Sequence, residues 1–291
     1  MSPDGATGPT IAVAVKSVDL RPDIDNLTGA VTTDGRWAGL SDADEAALET
    51  ALRLAEQWGA AVVAVSAGPP VVDAVLRQAL AAGAARAVRV ALAADAPSHA
   101  VAHAVGDVVT EVGATWVLCG AHSLDRGSGS VPAYLAHHLT AAQALGLVAV
   151  DPVTEPGDRS LVVTRRLDMA RRERLRVVAP AVLSVEGNVA RLRRASLAAA
   201  LHSESATIEV VSPSSGARPG VPAAPATRRA YRPRARELDA PHGSTLERIL
   251  ELTDAATPRT PPRLVELDPS AAAAEILRQL REWGELDDRP T

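Results

Sequence analysis

A loop rich in glycine and serine, Cys119–Pro132, carries the clearest chemical signal in this sequence. It reads Cys-Gly-Ala-His-Ser-Leu-Asp-Arg-Gly-Ser-Gly-Ser-Val-Pro and follows an apolar run of strand length. Gly127 and Gly129 let the backbone approach a ligand closely, and the free N–H groups of a helix that begins near Val131 are suited to hold a phosphate. The hydroxyl of Ser128 or Ser130 would add a hydrogen-bond donor. The loop therefore predicts a phosphate-binding site.

An ordinary turn before a helix is the alternative interpretation, and the residues of the loop alone leave it open. The loop matches neither G-x-G-x-x-G nor G-x-x-x-x-G-K-[ST], which disfavours the usual dinucleotide-binding fold and the P-loop NTPases. An ATP-using ligase or pyrophosphatase is disfavoured too, because its S-G-G-x-D-S loop is not present.

Two other apolar runs end in residues that could line the same site. The run Ala12–Lys16 leads straight into Lys16, the one lysine among 30 basic residues. Since every other basic position is arginine, Lys16 indicates a need for a compact ammonium charge that a guanidinium does not meet. The run Val65–Pro70 passes through Ser66 and leads into a predicted helix. We expect both strand ends to face the ligand.

Placing three such strand ends side by side requires a parallel sheet. From Thr10 to about Gly187, apolar runs of strand length alternate with amphipathic stretches of helix length, which is typical of parallel strands covered by helices. In such sheets, ligands bind beyond the carboxyl ends of the strands. The predicted fold class is therefore α/β, a mostly parallel sheet flanked by helices. The predicted strands are Ile11–Val15, Ala60–Ser66, Ala87–Ala91 and Thr115–Cys119, and the predicted helices are Asp42–Trp58, Val71–Ala82 and Ser98–Val112.

The pattern changes after the third helix and its loop, where apolar strands follow one another with only turn-forming or charged segments between them. This succession predicts an antiparallel extension of the same sheet. Its strands are Leu147–Val150, Leu161–Thr164, Leu175–Val178 and Val182–Val185.

The last 80 residues differ in composition and divide the chain into three parts. We predict a nucleotide-binding α/β domain over 1–211, a linker rich in Pro, Ser and Arg over 212–243, and a C-terminal helical arm over 244–291. The arm contains two short amphipathic helices, Ser244–Leu252 and Ser270–Trp283. Because two short helices have too little core to fold alone, we expect the arm to lie on a partner.

Composition excludes several classes of protein. Aromatic residues make up 2% of the 291 residues and the net charge is −5, so the basic surface and stacking platforms of a nucleic-acid binder are missing. The single cysteine, Cys119, excludes an internal disulfide and indicates a reducing compartment. The N-terminus has no basic start before its apolar run, and that run is too short for a signal peptide, so neither export nor a transmembrane segment is predicted. We expect a cytoplasmic protein.

Histidine and cysteine residues give no sign of a metal site or of catalysis. His99 and His103 are four residues apart on a predicted helix and could hold a metal, but no Cys, Asp or Glu at ligand spacing completes the site. We expect a solvated helix face there. Cys119 has no paired base nearby in the sequence, so an inert buried thiol is expected. The sequence predicts neither a metal nor catalytic residues.

Four segments resemble, in order and spacing, the beta subunits of electron transfer flavoproteins. Members of that family begin with a strand like V-A-V-K-x-V, continue with V-x-V-x-S-x-G-P and A-L-A-x-G-A-x-R-A-x-x-V, and then carry C-G-x-x-S-x-D-x-x-S-G-x-V. Here these motifs stand at Val13–Val18, Val63–Pro69, Ala79–Val90 and Cys119–Val131. The resemblance spans roughly residues 10–211 and implies a fold like that of the adenine nucleotide alpha hydrolases.

The resemblance implies a heterodimer that carries electrons. In this family the beta subunit pairs with an alpha subunit that holds most of the FAD, and it binds AMP itself, or a second FAD in bifurcating members. It implies a protein that has no catalytic residues of its own. Such a protein carries electrons from a flavin-dependent dehydrogenase towards the respiratory chain. Carried over by position, the nucleotide site comprises Ala14, Lys16, Ser66, Asp125, Ser128, Gly129, Ser130 and Val131.

Leu197 occupies the position of the family's partner-recognition leucine, within the retained segment Arg194–Leu197. The alternative is that Leu197 and Leu201 form one face of a helix packed on the core.

Two other segments depart from the family's pattern. Ser41–Ala43 stands where the family has Asn-Pro-Phe, which places an acid near the phosphate and removes an aromatic, and His202–Ser205 replaces a lysine-rich run.

These departures and the Pro- and Arg-rich tail resemble the divergent beta subunits associated with mycofactocin gene clusters, which implies a mycofactocin-linked dehydrogenase as partner. A stand-alone adenine-nucleotide sensor of the universal-stress type is the alternative function, since it shares the general α/β scheme. The tail favours the subunit, because a self-sufficient sensor has no need of a long arm.

Overall fold

The computed structural model describes residues 9–26, 28–155, 157–213, 242–253 and 264–284. The chain divides into two compact units, Met1–Ala230 and Tyr231–Thr291. The predicted linker 212–243 lies outside the described residues except at its two ends.

The first unit is built on a nine-stranded sheet, whose strands are β1 (Thr10–Ala14), β6 (Ala61–Gly68), β7 (Arg86–Ala91), β8 (Trp116–Gly120), β9 (Ala142–Pro152), β10 (Leu161–Arg166), β11 (Arg172–Val177), β12 (Ala181–Val185) and β13 (Glu209–Val211). They lie in the order β11-β10-β9-β12-β8-β1-β6-β7-β13. Strands β1, β6, β7, β8, β12 and β13 run parallel to their neighbours. The helices of this unit are α1 (Asp42–Trp58), α2 (Asp73–Ala82), α3 (Ser98–Glu111), α4 (Val131–His138) and α5 (Leu197–Ser205).

Helices cover both faces of the sheet, so its central strands are apolar on both sides. In β1, Ile11 and Val13 pack in a core with α1 and α2, whereas Ala12 packs in a second core with α3 and α4. This alternation follows from the two-residue period of a strand. The predicted α/β class with a mostly parallel sheet is confirmed.

Local signals fix the ends of α1. The Ser41 hydroxyl accepts a hydrogen bond from the backbone N–H of Asp44 and so caps the first turn. Gly59 follows the last turn in the left-handed conformation, with a φ of 60°, which glycine adopts at little cost. Small side chains such as Ala47 and Ala51 are fully buried and let α1 pack closely on the sheet.

The predicted antiparallel extension is partly wrong. Strands β10 and β11 are antiparallel to their neighbours as expected, but β12, which contains Val182–Val185, runs parallel to β8 and β9. All five residues of β12 are buried, as is typical of a strand inside a parallel sheet covered on both faces. Strand β9 also begins at Ala142, five residues before the predicted Leu147, because α4 leads directly into it.

Two short ribbons between β1 and α1 are absent from the sequence prediction. They pair β2 (Val18–Asp19) with β5 (Ala38–Gly39) and β3 (Asp23–Ile24) with β4 (Val31–Thr32). Each strand has two residues, which is too short to produce a hydrophobic period.

The second unit contains α6 (Thr245–Leu252) and α7 (Pro269–Glu282). Their bounds differ by one residue at most from those of the two helices predicted for the arm. The carboxylate of Asp268 caps α7 by accepting hydrogen bonds from the backbone N–H groups of Ser270 and Ala271. Several apolar side chains of both helices are exposed, among them Leu246, Ile249, Leu252 and Ile276. Within the described ranges, none of the helices has the length and apolar character that crossing a membrane requires.

Candidate functional site

A cavity opens where the carboxyl ends of β1, β6 and β8 meet. Its lining includes Ala14 at the end of β1 and Lys16 just after it, Val65 and Ala67 in β6, and Gly120 at the end of β8. The chain leaves β1 towards β6 and β7 on one side and returns to β8 on the other. Ligands of open α/β sheets bind where the strand order reverses in this way, so the cavity lies at the expected position of a ligand site.

The glycine- and serine-rich loop forms one wall of this cavity. Gly129 has a φ of +58°, and a Cβ there would lie 2.8 Å from the carbonyl oxygen of Ala121. Both observations require glycine at this position. Gly127 also has a positive φ, +63°, but a Cβ there would meet no atom within 4 Å. The surrounding atoms therefore leave no room for a side chain at Gly129, whereas at Gly127 there is room for one.

Helix α4 begins at the end of the loop, and its first turn faces the cavity through Ser130, Val131 and Pro132. The side chain of Ser130 makes no capping hydrogen bond, so it leaves the backbone N–H of Val131 to other acceptors, whereas Pro132 has no N–H to donate. The Ser128 and Ser130 hydroxyls lie 3.1 Å apart beside them. Backbone donors, two hydroxyls and the positive end of a helix dipole thus converge where an anion would bind.

Arg126 joins this loop to the segment that follows β7. Its guanidinium donates hydrogen bonds to the carbonyl oxygens of Ala96 and Ala94 at 2.7 and 3.2 Å. Ala94, Ala96 and Arg126 all line the cavity. The arginine therefore holds two walls of the cavity together, a role that its position in the sequence did not reveal.

Lys16 and Asp125 form an ion pair at the mouth of the cavity. The Lys16 ammonium lies 2.5 and 2.6 Å from the two carboxylate oxygens of Asp125 and 3.4 Å from the hydroxyl of Ser123. Partial burial opposes ionisation of Asp125, but hydrogen bonds from Lys16 and Ser123 outweigh it and hold the pKa of that carboxyl below its usual value. Lys16 therefore places its ammonium group, paired with the Asp125 carboxylate, beside the cavity.

Asp44 is the acidic residue of the cavity, and sequence reasoning missed it. Its carboxylate is buried at the start of α1 and accepts a hydrogen bond from the Ser41 hydroxyl at 2.9 Å. Burial raises its pKa to about 6, although Ser41 and the backbone N–H groups of Lys16 and Gly120 favour the ionised form. A Cβ at Gly120 would lie 2.8 Å from a carboxylate oxygen of Asp44. Glycine at the end of β8 thus makes room for the buried acid.

Most of the predicted nucleotide-site residues line this cavity. Two do not. Asp125 acts through Lys16, and Ser66 is buried between the lining residues Val65 and Ala67 without lining the cavity itself. The Ser66 hydroxyl has no hydrogen-bond partner among the residues that the structure describes. The lining residues are Ala14, Lys16, Ser128, Gly129, Ser130 and Val131.

Asp42, which the sequence placed near the phosphate, is exposed at the start of α1 and does not line the cavity. Its Cβ lies close to Gly187, where a side chain would overlap it.

Cys119 does line the cavity, but burial raises the pKa of its thiol far above neutral pH. The thiol is therefore protonated and unsuited to nucleophilic chemistry.

Leu197 is the first residue of α5 and is 77% exposed, and Leu201 on the same helix is 64% exposed. The alternative that these leucines pack on the core is therefore wrong.

The segment before these leucines is held firmly, because both the side chain and the backbone N–H of Arg193 donate hydrogen bonds to the buried carboxylate of Glu49. A second ion pair joins Arg193 to Glu56.

The expectation that no acidic residue accompanies the histidines of α3 is also wrong. Asp107 lies one turn after His103 on the same helix, and His138 of α4 approaches both of them. The sequence spacing of His103 and Asp107 carried this signal, whereas the approach of His138 depends on how the two helices pack.

Comparisons with known proteins identify the family of this chain. The family model described as "Electron transfer flavoprotein domain" matches residues 28–215, which include β6, β8, the glycine- and serine-rich loop and α4. The chain is 34% identical to the electron transfer flavoprotein subunit beta of Methylophilus methylotrophus over 188 residues, 62% of this chain and 70% of that protein. It is 31% identical to the electron transfer flavoprotein subunit beta of Thermoanaerobacterium thermosaccharolyticum over 165 residues, 54% of this chain and 61% of that protein. Because the match extends over most of the sheet and the loop that walls its cavity, the chain belongs to the electron transfer flavoprotein family, as a beta subunit.

Proposed function

We propose that this subunit pairs with an electron transfer flavoprotein alpha subunit, holds AMP in the cavity at the ends of β1, β6 and β8, and works in the cytoplasm. The complex would carry electrons from a flavin-dependent dehydrogenase towards the respiratory chain. FAD, held mainly by the alpha subunit at the heterodimer interface, would supply the redox chemistry. The proposal rests on the family match for the pairing and on the shape of the cavity for AMP.

The first turn of α4 is the observation that carries the AMP assignment. Its backbone N–H groups, the tight turn at Gly129 and the Ser128 and Ser130 hydroxyls form a cradle of donors with no acid directly among them. Lys16 adds a positive charge at the mouth, shared with Asp125. A phosphate monoester fits these groups in charge and in hydrogen-bonding type.

The rest of the cavity suits a purine. Ala14, Ala67, Val101 and Val105 line it with small apolar surface, and burial of such surface favours a flat ring. No aromatic residue stands at Ser41–Ala43 to flank a flavin. AMP therefore fits this subunit better than a second FAD does.

Leu197 is proposed as the anchor for the dehydrogenase. An exposed leucine on a well-held helix start offers an apolar contact with few polar bonds, and such a contact allows specific placement with rapid release. We further propose a mycofactocin-linked dehydrogenase as the electron donor, on the departures at Ser41–Ala43 and the Pro- and Arg-rich tail.

The test of the AMP site compares two alanine substitutions in the same loop. Gly129→Ala and Gly127→Ala impose the same left-handed backbone strain, but only the former places a Cβ against the Ala121 carbonyl oxygen. We expect purified wild-type complex and Gly127→Ala to release about one AMP per heterodimer on denaturation, and Gly129→Ala to release little or none. Chromatography of the released nucleotides gives the count.

The released nucleotides also separate the alternatives. A second FAD per heterodimer in place of AMP would mean a bifurcating arrangement. If the wild-type complex releases no nucleotide, or if Gly127→Ala loses it as fully as Gly129→Ala, the cradle at α4 does not hold a phosphate.

A further inference from the structure

Two histidines and an aspartate meet at the seam between α3 and α4, on the opposite side of the sheet from α1. The His138 Nε2 lies 3.1 Å from a carboxylate oxygen of Asp107, and the His103 Nδ1 lies 3.8 Å from the same oxygen. The two imidazole rings lie 3.9 Å apart between their centroids. One ligand atom from each of the three side chains lies within 4.8 Å of the others.

Gly106 makes room for this cluster. A Cβ at Gly106 would overlap the Cδ2 of His138 and lie 3.1 Å from its Nε2. Glycine inside a helix weakens it relative to alanine, and Gly106 lies in the middle of α3 with a buried backbone. The imidazole of His138 thus lies against the backbone of α3 at Gly106, where a residue larger than glycine would force the ring to move.

We propose that His103, Asp107 and His138 bind a divalent transition metal of the Zn²⁺ class. Two imidazole nitrogens and one carboxylate oxygen are ligands that zinc takes in proteins, and water would complete the coordination. Ligand atoms around a tetrahedral zinc ion lie roughly 3.3 Å apart, given metal–ligand distances near 2 Å. The two separations from Asp107, 3.1 Å to His138 and 3.8 Å to His103, lie on either side of that value, and the histidine nitrogens must turn towards each other to share one ion.

The metal would clamp two helices that both border the cavity. Ser98 and Val101 of α3 line the cavity, as do Val131 and Pro132 of α4. A metal that joins the later turns of these helices would fix the position of one helix relative to the other. It would thereby also fix their first turns, which line the cavity. Its role is structural, because the cluster lies outside the cavity lining, and it does not depend on the proposed function.

Metal binding by the full chain, purified as its complex with the alpha subunit, tests this proposal. Calorimetric titration with Zn²⁺, on protein without a histidine tag, should give one ion per chain at micromolar affinity or better. His103→Ala and Asp107→Asn should each weaken binding by at least about 100-fold, since loss of even an outer-shell partner costs 10- to 100-fold. Asp107→Asn keeps the size of the side chain, so the fold is retained in at least one variant.

His137→Ala is the matched control, since His137 is adjacent to His138 on α4 and outside the cluster. It should bind Zn²⁺ as the wild type does. Co²⁺ provides a second measurement, because its visible absorption in the wild type should disappear in Asp107→Asn. The proposal is overturned if wild type and Asp107→Asn bind Zn²⁺ equally, or if the wild type binds none; the cluster would then be only a hydrogen-bond network between the helices.

Discussion

At the scale of single residues, two carboxylates beside the cavity behave in opposite ways. Asp125 is exposed enough to be held ionised by Lys16, which lowers its pKa. Asp44 is buried, and desolvation raises its pKa to about 6 despite a hydroxyl and two backbone donors. The cavity thus has an ion pair at its edge and a titratable acid in its wall.

Asp44 should make the stability of the protein depend on pH in a specific direction. Its pKa is higher in the folded state than the ordinary value of 3.8, so the folded state binds the proton more tightly. Its contribution to the free energy of unfolding is therefore largest below pH 4, falls as the pH rises to about 6, and is constant above. A shift of about two pKa units corresponds to a change of roughly 3 kcal/mol.

Denaturant unfolding of the wild type and Asp44→Asn between pH 4 and pH 8 measures this effect. The other titrating groups, including Asp125 and Glu49, cancel in the difference between the two proteins. We expect the stability of the wild type relative to Asp44→Asn to fall with rising pH and to level off near pH 7. A difference that stays flat, or that rises with pH, contradicts a raised pKa at Asp44.

At the scale of the elements, α5 is held at both ends by arginines, one in the segment that precedes it and one from α2. Arg193 precedes the helix and is bound to Glu49 of α1. At its other end, the Arg77 guanidinium donates hydrogen bonds to the carbonyl oxygens of Ser203, Glu204 and Ala206. These contacts keep α5 in place while its leucines stay exposed.

Removing the arginine at the C-terminal end should loosen α5. Arg77→Met leaves the carbonyl oxygens at the end of α5 without that donor, which should cost about 1–2 kcal/mol of stability. Amide hydrogen exchange of α5 should become faster. Arg86→Met is the control, since the Arg86 and Glu209 side chains form an exposed pair of the kind worth at most about 1 kcal/mol. Equal exchange in both variants would mean that Arg77 does not hold the helix.

Sequence patterns predicted the elements well wherever the signal is local. The serine cap at Ser41, the long apolar run of β6 and the turn at Gly129 are each encoded within a few residues, and the structure contains all three. Pairing between distant strands has no such local signal, which explains the wrong direction assigned to β12. The approach of His138 to Asp107 and the burial of Asp44 likewise depend on how helices pack.

At the scale of the whole molecule, the exposed end of α5 should govern contact with the electron donor. Leu197→Ala should leave the melting temperature and flavin content of the complex unchanged, since the side chain is 77% exposed, and should slow reduction by the cognate dehydrogenase at least several-fold. Stopped-flow absorbance of the flavin measures the rate. Leu201→Ala, on the same helix and similarly exposed, is the control. A lower melting temperature without a slower reduction would remove Leu197 from the recognition surface.

Exposed apolar side chains on α6 and α7, the two helices of the arm, are also best explained by a partner that covers them. Patches of this kind on a small helical arm favour an obligate complex, because short helices lack a core of their own. The chain on its own should therefore associate with itself or be poorly stable.

Co-expression with an electron transfer flavoprotein alpha subunit, followed by purification and an absorbance spectrum, tests the central claim most directly. We predict a yellow one-to-one complex whose flavin absorption disappears on reduction, with AMP released alongside FAD on denaturation. A colourless, stable monomer that copurifies with no alpha subunit and contains no nucleotide would contradict the account.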